Sequence, residues 1–369
     1  MKLKETDYPL RGLVIYNNHI KNLLDIESVF KMKITIYDVA KKAGVSTATV
    51  SKIINNKGSI SEKTKQKVLE VMEELQYQPS MIASALKGKS TYTIGLLIPD
   101  LSNPIFAEYA KYIEERGQEL GFSVIMCNTD ANPDKEQKYI TLLKQKQVDG
   151  IIVAARFRNV TLLKNLIKEK FPLAIIAKDL PTLPIDSVTV DDFLGGYQVT
   201  EYLLSLGHKK IGVIAEGDKS SEERIKGYIQ ALLDVGIQPA EELIMICDHP
   251  TREYAKKYAG ILLDKEKDMS AIFGCNDLLA IGAMQAARER GLRIPDDLSV
   301  IGFDNTDLST IVIPSLTTVQ QPLRDIGHHV VDLLTEQING TSRTTHRVVL
   351  LPELVIRQTT KQVENITIE

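Results

Sequence analysis

From Tyr92 onward the chain alternates short apolar runs with amphipathic stretches, and this alternation narrows the possible folds more than any other feature. The runs "TIGLLIP", "FSVIMCN", "GIIVAA" and "LAIIA" are short and almost uniformly apolar, which suits strands of a parallel sheet buried on both faces. Between them, "PIFAEYAKYIEERGQEL" and "DKEQKYITLLKQKQ" read as covering helices. A second series follows, "SVTV", "KIGVIA", "LIMIC", "AIFGC" and "LSVIGF", again with helices between. Two consecutive series predict a body of two doubly wound α/β lobes. At 369 residues the chain is also too long for one ordinary core, so two or three domains are expected.

The stretch before the body differs in charge. Between Lys33 and Ser90 ten lysines face five carboxylates, a balance of +5, whereas the whole chain carries −3 and the part after Ser90 carries −9. A basic head on an acidic body suits a polyanion-binding module attached to a sensor, although a solvated lysine face gives the same count. Within the head, "TIYDVAKKAG" predicts a helix with Ile36, Val39, Ala40 and Ala43 inward, stopping at Gly44. Val45 plugs the turn and Ser46 caps a second helix in "VSTATVSKIINN". In that helix Val50, Ile53 and Ile54 gather on one side, and Thr47, Ala48, Ser51, Lys52 and Asn55 on the other. Helix, short glycine turn, helix is the arrangement whose second helix enters the major groove of DNA, and small polar side chains let it approach the base edges. A third helix, "SEKTKQKVLEVMEELQY", has Ser61 as its cap and Val68, Val71, Met72 and Leu75 as its inner stripe.

Other classes are disfavoured. No run of about 18 apolar residues offers a membrane span, and residues 1–31 lack the apolar core and cleavage site of an export signal, which places the protein in the cytoplasm. Cys127, Cys247 and Cys275 read as reduced, buried thiols. No P-loop, zinc spacing or nucleophile elbow appears, and His328 and His329 are adjacent on a helix and poorly placed to share a metal. The expectation is a protein that is not an enzyme and needs no cofactor.

The segment "TIYDVAKKAGVSTATVSKIINNKGSISEKTKQKVLEVMEELQYQPSMIASALKGK" resembles the head of a LacI/GalR-family transcription regulator, and the resemblance extends over residues 33–357. It implies a DNA-binding head at 33–79, a hinge helix and linker at 80–91, and a periplasmic-binding-protein-like body at 92–358. Residues 1–32 are then an upstream extension without structure, and "TTKQVENITIE" at 359–369 a loose tail. The resemblance further implies that Thr47, Ala48 and Lys52 face bases, and that Thr35, Ser46, Thr49, Ser51, Asn55, Ser61, Thr64 and Tyr77 sit near phosphates. Lys52 departs from the family's usual Arg and cannot grip guanine with the same two-pronged geometry. In "PSMIASALKGKST", by composition only a linker, the resemblance places Ala83 on the minor-groove floor and Leu86 as an apolar wedge between base pairs. Two such heads require a homodimer on near-palindromic operator DNA.

In open α/β sheets ligands sit beyond the carboxyl ends of the strands. The residues there are Asn103 and Phe106, Arg156 and Phe157, Arg224, Asn276 with Asp277, and Asp304. Asn103, Asn276 and Asp277 are equally suited to capping helices, and Arg224 to a structural ion pair. By resemblance, Arg224, Asn276 and Asp304 contact a small-molecule effector such as a sugar or sugar phosphate. Arg156, opposite Arg224, would favour an anionic one. The stretches "LSNP", "KQVDGII" and "IGFDNTDLST" are close to the catabolite-control branch, whose co-repressor is a serine-phosphorylated phosphocarrier protein. On the corresponding docking helix, Arg324, His328 and Asp332 share one side, and Asp332 stands where that branch uses an arginine. A carboxylate there repels a phosphate, which points to a paralogue with its own effector.

Overall fold

In a computed structural model the described residues are 34–54, 58, 60–77, 90–247, 251–342 and 344–363. The expectations for residues 1–32, Asn55, Ala83 and Leu86 lie outside them. The chain divides into two compact units, Met1–Lys89 and Ser90–Glu369.

The first unit is built from α1 (Ile36–Ala43), α2 (Thr47–Ile54) and α3 (Glu62–Glu74). The Asp38 carboxylate accepts from both the Thr35 backbone N–H at 2.8 Å and the Thr35 hydroxyl at 2.7 Å, fixing the start of α1. Gly44 ends it at φ 68°, a left-handed conformation that a side chain would strain, and the Val45 N–H donates back to the Ala40 carbonyl at 3.0 Å. Ser46 accepts from the Thr49 N–H at 3.1 Å, which starts α2. The three helices close on Val39, Ala40, Ala43, Val50, Ile53, Val68 and Val71.

The second unit has two parallel sheets. In chain order its first strands and helices are β1 (Thr93–Ile98), α4 (Pro104–Glu119), β2 (Ser123–Asn128), α5 (Pro133–Gln145), β3 (Gly150–Ala154), α6 (Val160–Lys168), β4 (Leu173–Ile176) and β5 (Asp186–Val190). Next come α7 (Asp192–Ser205), β6 (Ile211–Glu216), α8 (Lys219–Asp234), β7 (Ile244–Cys247), α9 (Arg252–Lys265), β8 (Ala271–Gly274), α10 (Asp277–Glu289) and β9 (Ser299–Ile301). The last are α11 (Leu308–Ile311), β10 (Thr318–Gln320), α12 (Leu323–Ile338), β11 (Arg347–Leu350) and β12 (Glu353–Val355). Lobe 1 holds the sheet β11-β5-β4-β3-β1-β2, and lobe 2 the sheet β7-β6-β8-β9. The chain crosses between them after β5, after β10 and after β11. Helix α12 therefore returns to lobe 1, where Ile326, Val330, Val331 and Leu334 join the core beneath α4.

Three expectations are corrected. The segment "SVTV", assigned from the sequence to the second series, is β5 of lobe 1, with Ile175 opposite Ser187. Parallel strands are usually joined through a covering helix. The helix-free link from Ala177 to Ile185 therefore resembles a domain boundary in sequence while serving as a crossover within one sheet. Strands β2 and β7, read as buried, are edge strands with exposed positions such as Met126 and Ile246. The beginning of the supposed loose tail is packed. Thr359 is fully buried, its hydroxyl donating to the Val300 carbonyl at 2.6 Å, and the Val363 N–H donates to the Leu206 carbonyl at 2.8 Å.

The chain's entry into the body is also fixed. Asp149 accepts from the Ser90 hydroxyl at 2.8 Å and from the N–H groups of Thr91 at 2.9 Å and Thr93 at 3.0 Å. No helix among the described residues is long and apolar enough to cross a membrane.

Candidate functional site

On the first unit, burying Val50 and Ile53 turns Ala48 and Lys52 outward, with Thr47, Thr49 and Ser51 half-buried beside them. Thr35, Ser46 and Ser61 occupy the N-terminal ends of the three helices. The Ser46 and Thr49 hydroxyls lie 2.9 Å apart, and those of Ser61 and Thr64 2.8 Å apart. The Ser46 and Ser61 caps thus present oxygen atoms where the helix dipole favours an anion, whereas at Thr35 that anion is Asp38. Tyr77 is half-buried against the three-helix core. Asp38 is held below the ordinary carboxylate range by the Thr35 hydroxyl and N–H, so its cap stays ionised.

In the second unit, polar side chains from both lobes converge beyond the carboxyl ends of the strands. Asn103 caps α4, accepting from the Ile105 N–H at 3.3 Å, and Phe106 packs as a wall with its ring centroid 6.4 Å from that of Tyr109. The inner cavity between the lobes, about 50 Å³, is bordered by these residues together with Asp192, Glu216, Asp218, Arg224, Asn276, Asp304 and Gln321. That volume holds a few water molecules and is too small for a sugar, so a ligand of that size enters as the lobes part.

Arg224 is the centre of the cavity. Its Nε donates to Asp192 at 2.8 Å, its Nη1 reaches the Cys275 carbonyl, and the guanidinium lies 3.5 Å from the Phe303 ring centroid. Asp304 stands 4.0 Å away and accepts from Gln321 Nε2 at 2.7 Å, while Gln321 in turn accepts from the Tyr109 hydroxyl at 2.8 Å. This chain of bonds runs from α4 of lobe 1, through the crossover, into lobe 2. Asn276 caps α10, accepting from the Leu279 N–H at 2.8 Å, and donates to Glu216 at 2.6 Å. Asp277 is turned inward, accepting from Thr306 and Thr318, and secures the loop that carries Asp304.

Burial governs the charges. It pushes Glu216 up to about 8, with Asp218 adding to the rise, and pushes Asp304 well above the carboxylate range despite Arg224 nearby. Arg224, although buried, is held protonated by Asp192 and Asp304. At neutral pH Arg224 therefore stays paired with Asp192, Asp218 stays ionised, and burial pushes the Glu216 and Asp304 carboxyls toward their protonated forms. Such a lining suits hydroxyl groups, which both donate and accept.

Arg156 reaches across from lobe 1, with Nη1 3.4 Å from Glu216, and borders an outer chamber that shares Asp218 and Ser220 with the inner cavity. Arg156 and Arg224 both act on Glu216 and Asp218. Phe157 departs from the sequence expectation. Phe157 is buried in the core of lobe 1, and its carbonyl accepts from Lys178 Nζ at 3.0 Å. Sequence reasoning missed Tyr109, Asp192, Glu216, Asp218 and Gln321. Asp192 and Glu216 fall at the carboxyl ends of β5 and β6, where the strand-end rule applied to acids as well would have found them. Among the described residues no group of three or more His, Cys, Asp or Glu side chains is arranged to hold a metal. Cys127, Cys247 and Cys275 are buried and form no disulfide among the described residues. On α12, Asp332 accepts from Arg116 Nε at 2.8 Å and Arg324 pairs with Glu115 at 3.1 Å.

Comparison with known proteins places both units. Residues 35–80 match the family described as bacterial regulatory proteins, lacI family, and residues 200–360 match the periplasmic binding protein-like domain. The chain is 48% identical over 334 residues to the HTH-type transcriptional regulator DegA of Bacillus subtilis (strain 168), covering 89% of this chain and 98% of that one. It is 37% identical over 333 residues to catabolite control protein A of Priestia megaterium, covering 89% and 100%. Among solved structures, the lac repressor dimer bound to operator and the anti-inducer ONPF superposes with a TM-score of 0.80 at 29% identity, covering 89% of this chain and 99% of that one.

Proposed function

Because the chain belongs to the lacI family of bacterial regulatory proteins, we propose that it is a cytoplasmic homodimer that binds a near-palindromic operator and changes its grip when a small polar effector enters the cleft. DNA-binding transcriptional regulation comes with the family, and the relatives it resembles are named regulators. In this reading Thr47, Ala48 and Lys52 meet base edges, and Thr35, Ser46, Thr49, Ser51, Asn55, Ser61, Thr64 and Tyr77 lie near phosphates. Ala83 and Leu86 act in the minor groove. The helix-end positions of Ser46 and Ser61 support the phosphate assignment, because the helix dipole at each end favours an anion.

The observation that carries the effector half is the bonded path Tyr109–Gln321–Asp304 beside Arg224, which spans both lobes at the cavity. A molecule that replaces those bonds binds one lobe arrangement better than another, and only such differential binding shifts an equilibrium. Asn103, Phe106, Arg224, Asn276 and Asp304 are the contacts assigned to it. A phosphocarrier-dependent mode is the lesser reading, since Asp332, the residue a phosphoserine would meet, is a carboxylate already paired with Arg116.

The test is a mobility-shift series with the purified full-length chain on a palindrome selected from random sequence. The expected result is a dimer with a preference of about a thousandfold or more over scrambled duplex at moderate salt. That preference should be lost on Leu86→Ala and altered by a cleft ligand. A monomer that binds both duplexes equally at low ionic strength would refute it.

A further inference from the structure

The cleft has two zones. Beside the inner cavity it widens into a chamber of about 320 Å³, within the range of small-molecule sites. Arg156, Arg158 and Lys178 of lobe 1 border this chamber, facing Asp218, Lys219 and Glu222 of lobe 2. Lys219 is occupied by Glu222 at 3.3 Å and Glu223 at 2.7 Å. The three cations of lobe 1 are not matched in this way. Among the described residues the Arg158 guanidinium makes no ion pair within 4.0 Å. Lys178 donates to the Phe157 carbonyl, and its half-buried ammonium is pulled below its ordinary range by loss of solvent against the opposing pull of Glu136 and Asp218. The Nε of Arg156 is buried with no partner, and the residue's one ionic contact, to Glu216, is long at 3.4 Å. Glu216, its carboxyl pushed up to about 8 by burial, offsets the Arg156 charge only in part. Asp218 is the remaining nearby anion.

The backbone presenting these cations is held from within. Glu136, fully buried on α5, accepts from the N–H groups of Arg158 at 3.0 Å and Asn159 at 2.8 Å, so the loop after β3 is fixed before any ligand arrives. Uncompensated donors on a preorganised loop at the mouth of a cavity lined for hydroxyls fit a ligand with one charged end and one neutral end. Resting on the cleft reading above, we propose that the effector is a small hydroxylated anion whose phosphate or carboxylate group seats in the outer chamber among Arg156, Arg158 and Lys178.

The test is calorimetric titration of the full-length protein with inorganic phosphate, with hexose and pentose monophosphates, with the corresponding sugar acids, and with the neutral parent sugars. A charged sugar is expected to bind about tenfold or more tightly than its neutral parent, with the gap narrowing as salt rises. Phosphates binding without acids, or the reverse, identifies the group. Arg158→Gln and Lys178→Gln should each reduce the charged-to-neutral ratio by about tenfold, and Arg158→Lys should retain part of it. Arg158 is exposed, so its replacement tests binding without threatening the fold. A neutral sugar that binds as tightly as its charged derivatives overturns the proposal. If Asp304→Asn abolishes that neutral binding, the cleft reading survives. If inorganic phosphate and every charged and neutral member of the panel fail to bind, both fall together.

Discussion

Helices α7 and α8 touch backbone to backbone, and a single methyl group should show what that contact does. A Cβ on Gly227 would lie 2.1 Å from the Phe193 carbonyl oxygen and 2.6 Å from the Tyr197 nitrogen, where ordinary contact begins at 3.4 Å. The facing Gly196 is equally tight, its added Cβ falling 2.0 Å from the Arg224 carbonyl oxygen. In Gly227→Ala the two helices must therefore separate by about 1 Å, an overpacking strain of about 1–3 kcal/mol. For a body of this size each kcal/mol lowers the melting temperature by about 2–4 °C, so a fall of about 3–10 °C is expected. The second effect is local. Arg224 lies one turn before Gly227 on α8 and reaches Asp192 in the first turn of α7 at 2.8 Å. A separation of about 1 Å stretches that bond beyond hydrogen-bonding distance. Scanning calorimetry measures the first effect, with Gly217→Ala as control because its added Cβ meets only Ile246 at 3.8 Å, and operator shift with and without ligand measures the second. If Gly227→Ala melts within a degree of the parent and answers ligand equally well, the inference that this crossing positions Arg224 is wrong.

Further predictions concern the buried acid and the recognition helix. Glu216 ionises at about 8 in the folded chain and near 4.5 when exposed, so the folded state holds the extra proton between those values and its stability falls as pH rises from about 5 to 8. Glu216→Gln should remove that decline, gaining melting temperature at pH 8.5 relative to the parent and little at pH 5, as read in parallel thermal melts. Lys52→Arg should strengthen the preference for guanine at one position of each half-site by about 1 kcal/mol or more in a panel of operator variants. An unchanged panel would remove Lys52 from the bases.

Much of this architecture was legible because it repeats local rules. The first four strands were visible as apolar runs, and the three head helices as capped stripes of Val39, Val50 and Val68 beside their polar faces. The lobe that claims β5 was not legible. Its short sequence suits either sheet, and only pairing with β4 and β11 decides. The packing of Thr359 was hidden for a related reason: a polar residue is buried through hydrogen bonds to a distant strand, which no periodicity records. In the cleft, the positions of Arg224, Asn276 and Asp304 followed from strand ends, but their partners did not. The meeting of Arg156 with Glu216 depends on how two lobes meet, and that information is spread over three crossovers.

The interleaving of those lobes bears on how the protein is made. Strands β1 to β5 leave the ribosome early, yet the helix that covers their sheet beside α4 and the strand that closes the β5 edge arrive only with residues 323–350. Gly150 of β3, which waits for Leu334 to pack against it, is separated from that partner by all the sheet strands of lobe 2. Lobe 2 has its four-stranded sheet in one continuous stretch and can condense while its neighbour is still open. Nascent chains stalled before residue 323 should thus expose a greasy, half-built sheet to chaperones and proteases, so that premature termination yields material destined for degradation, not a working half-molecule.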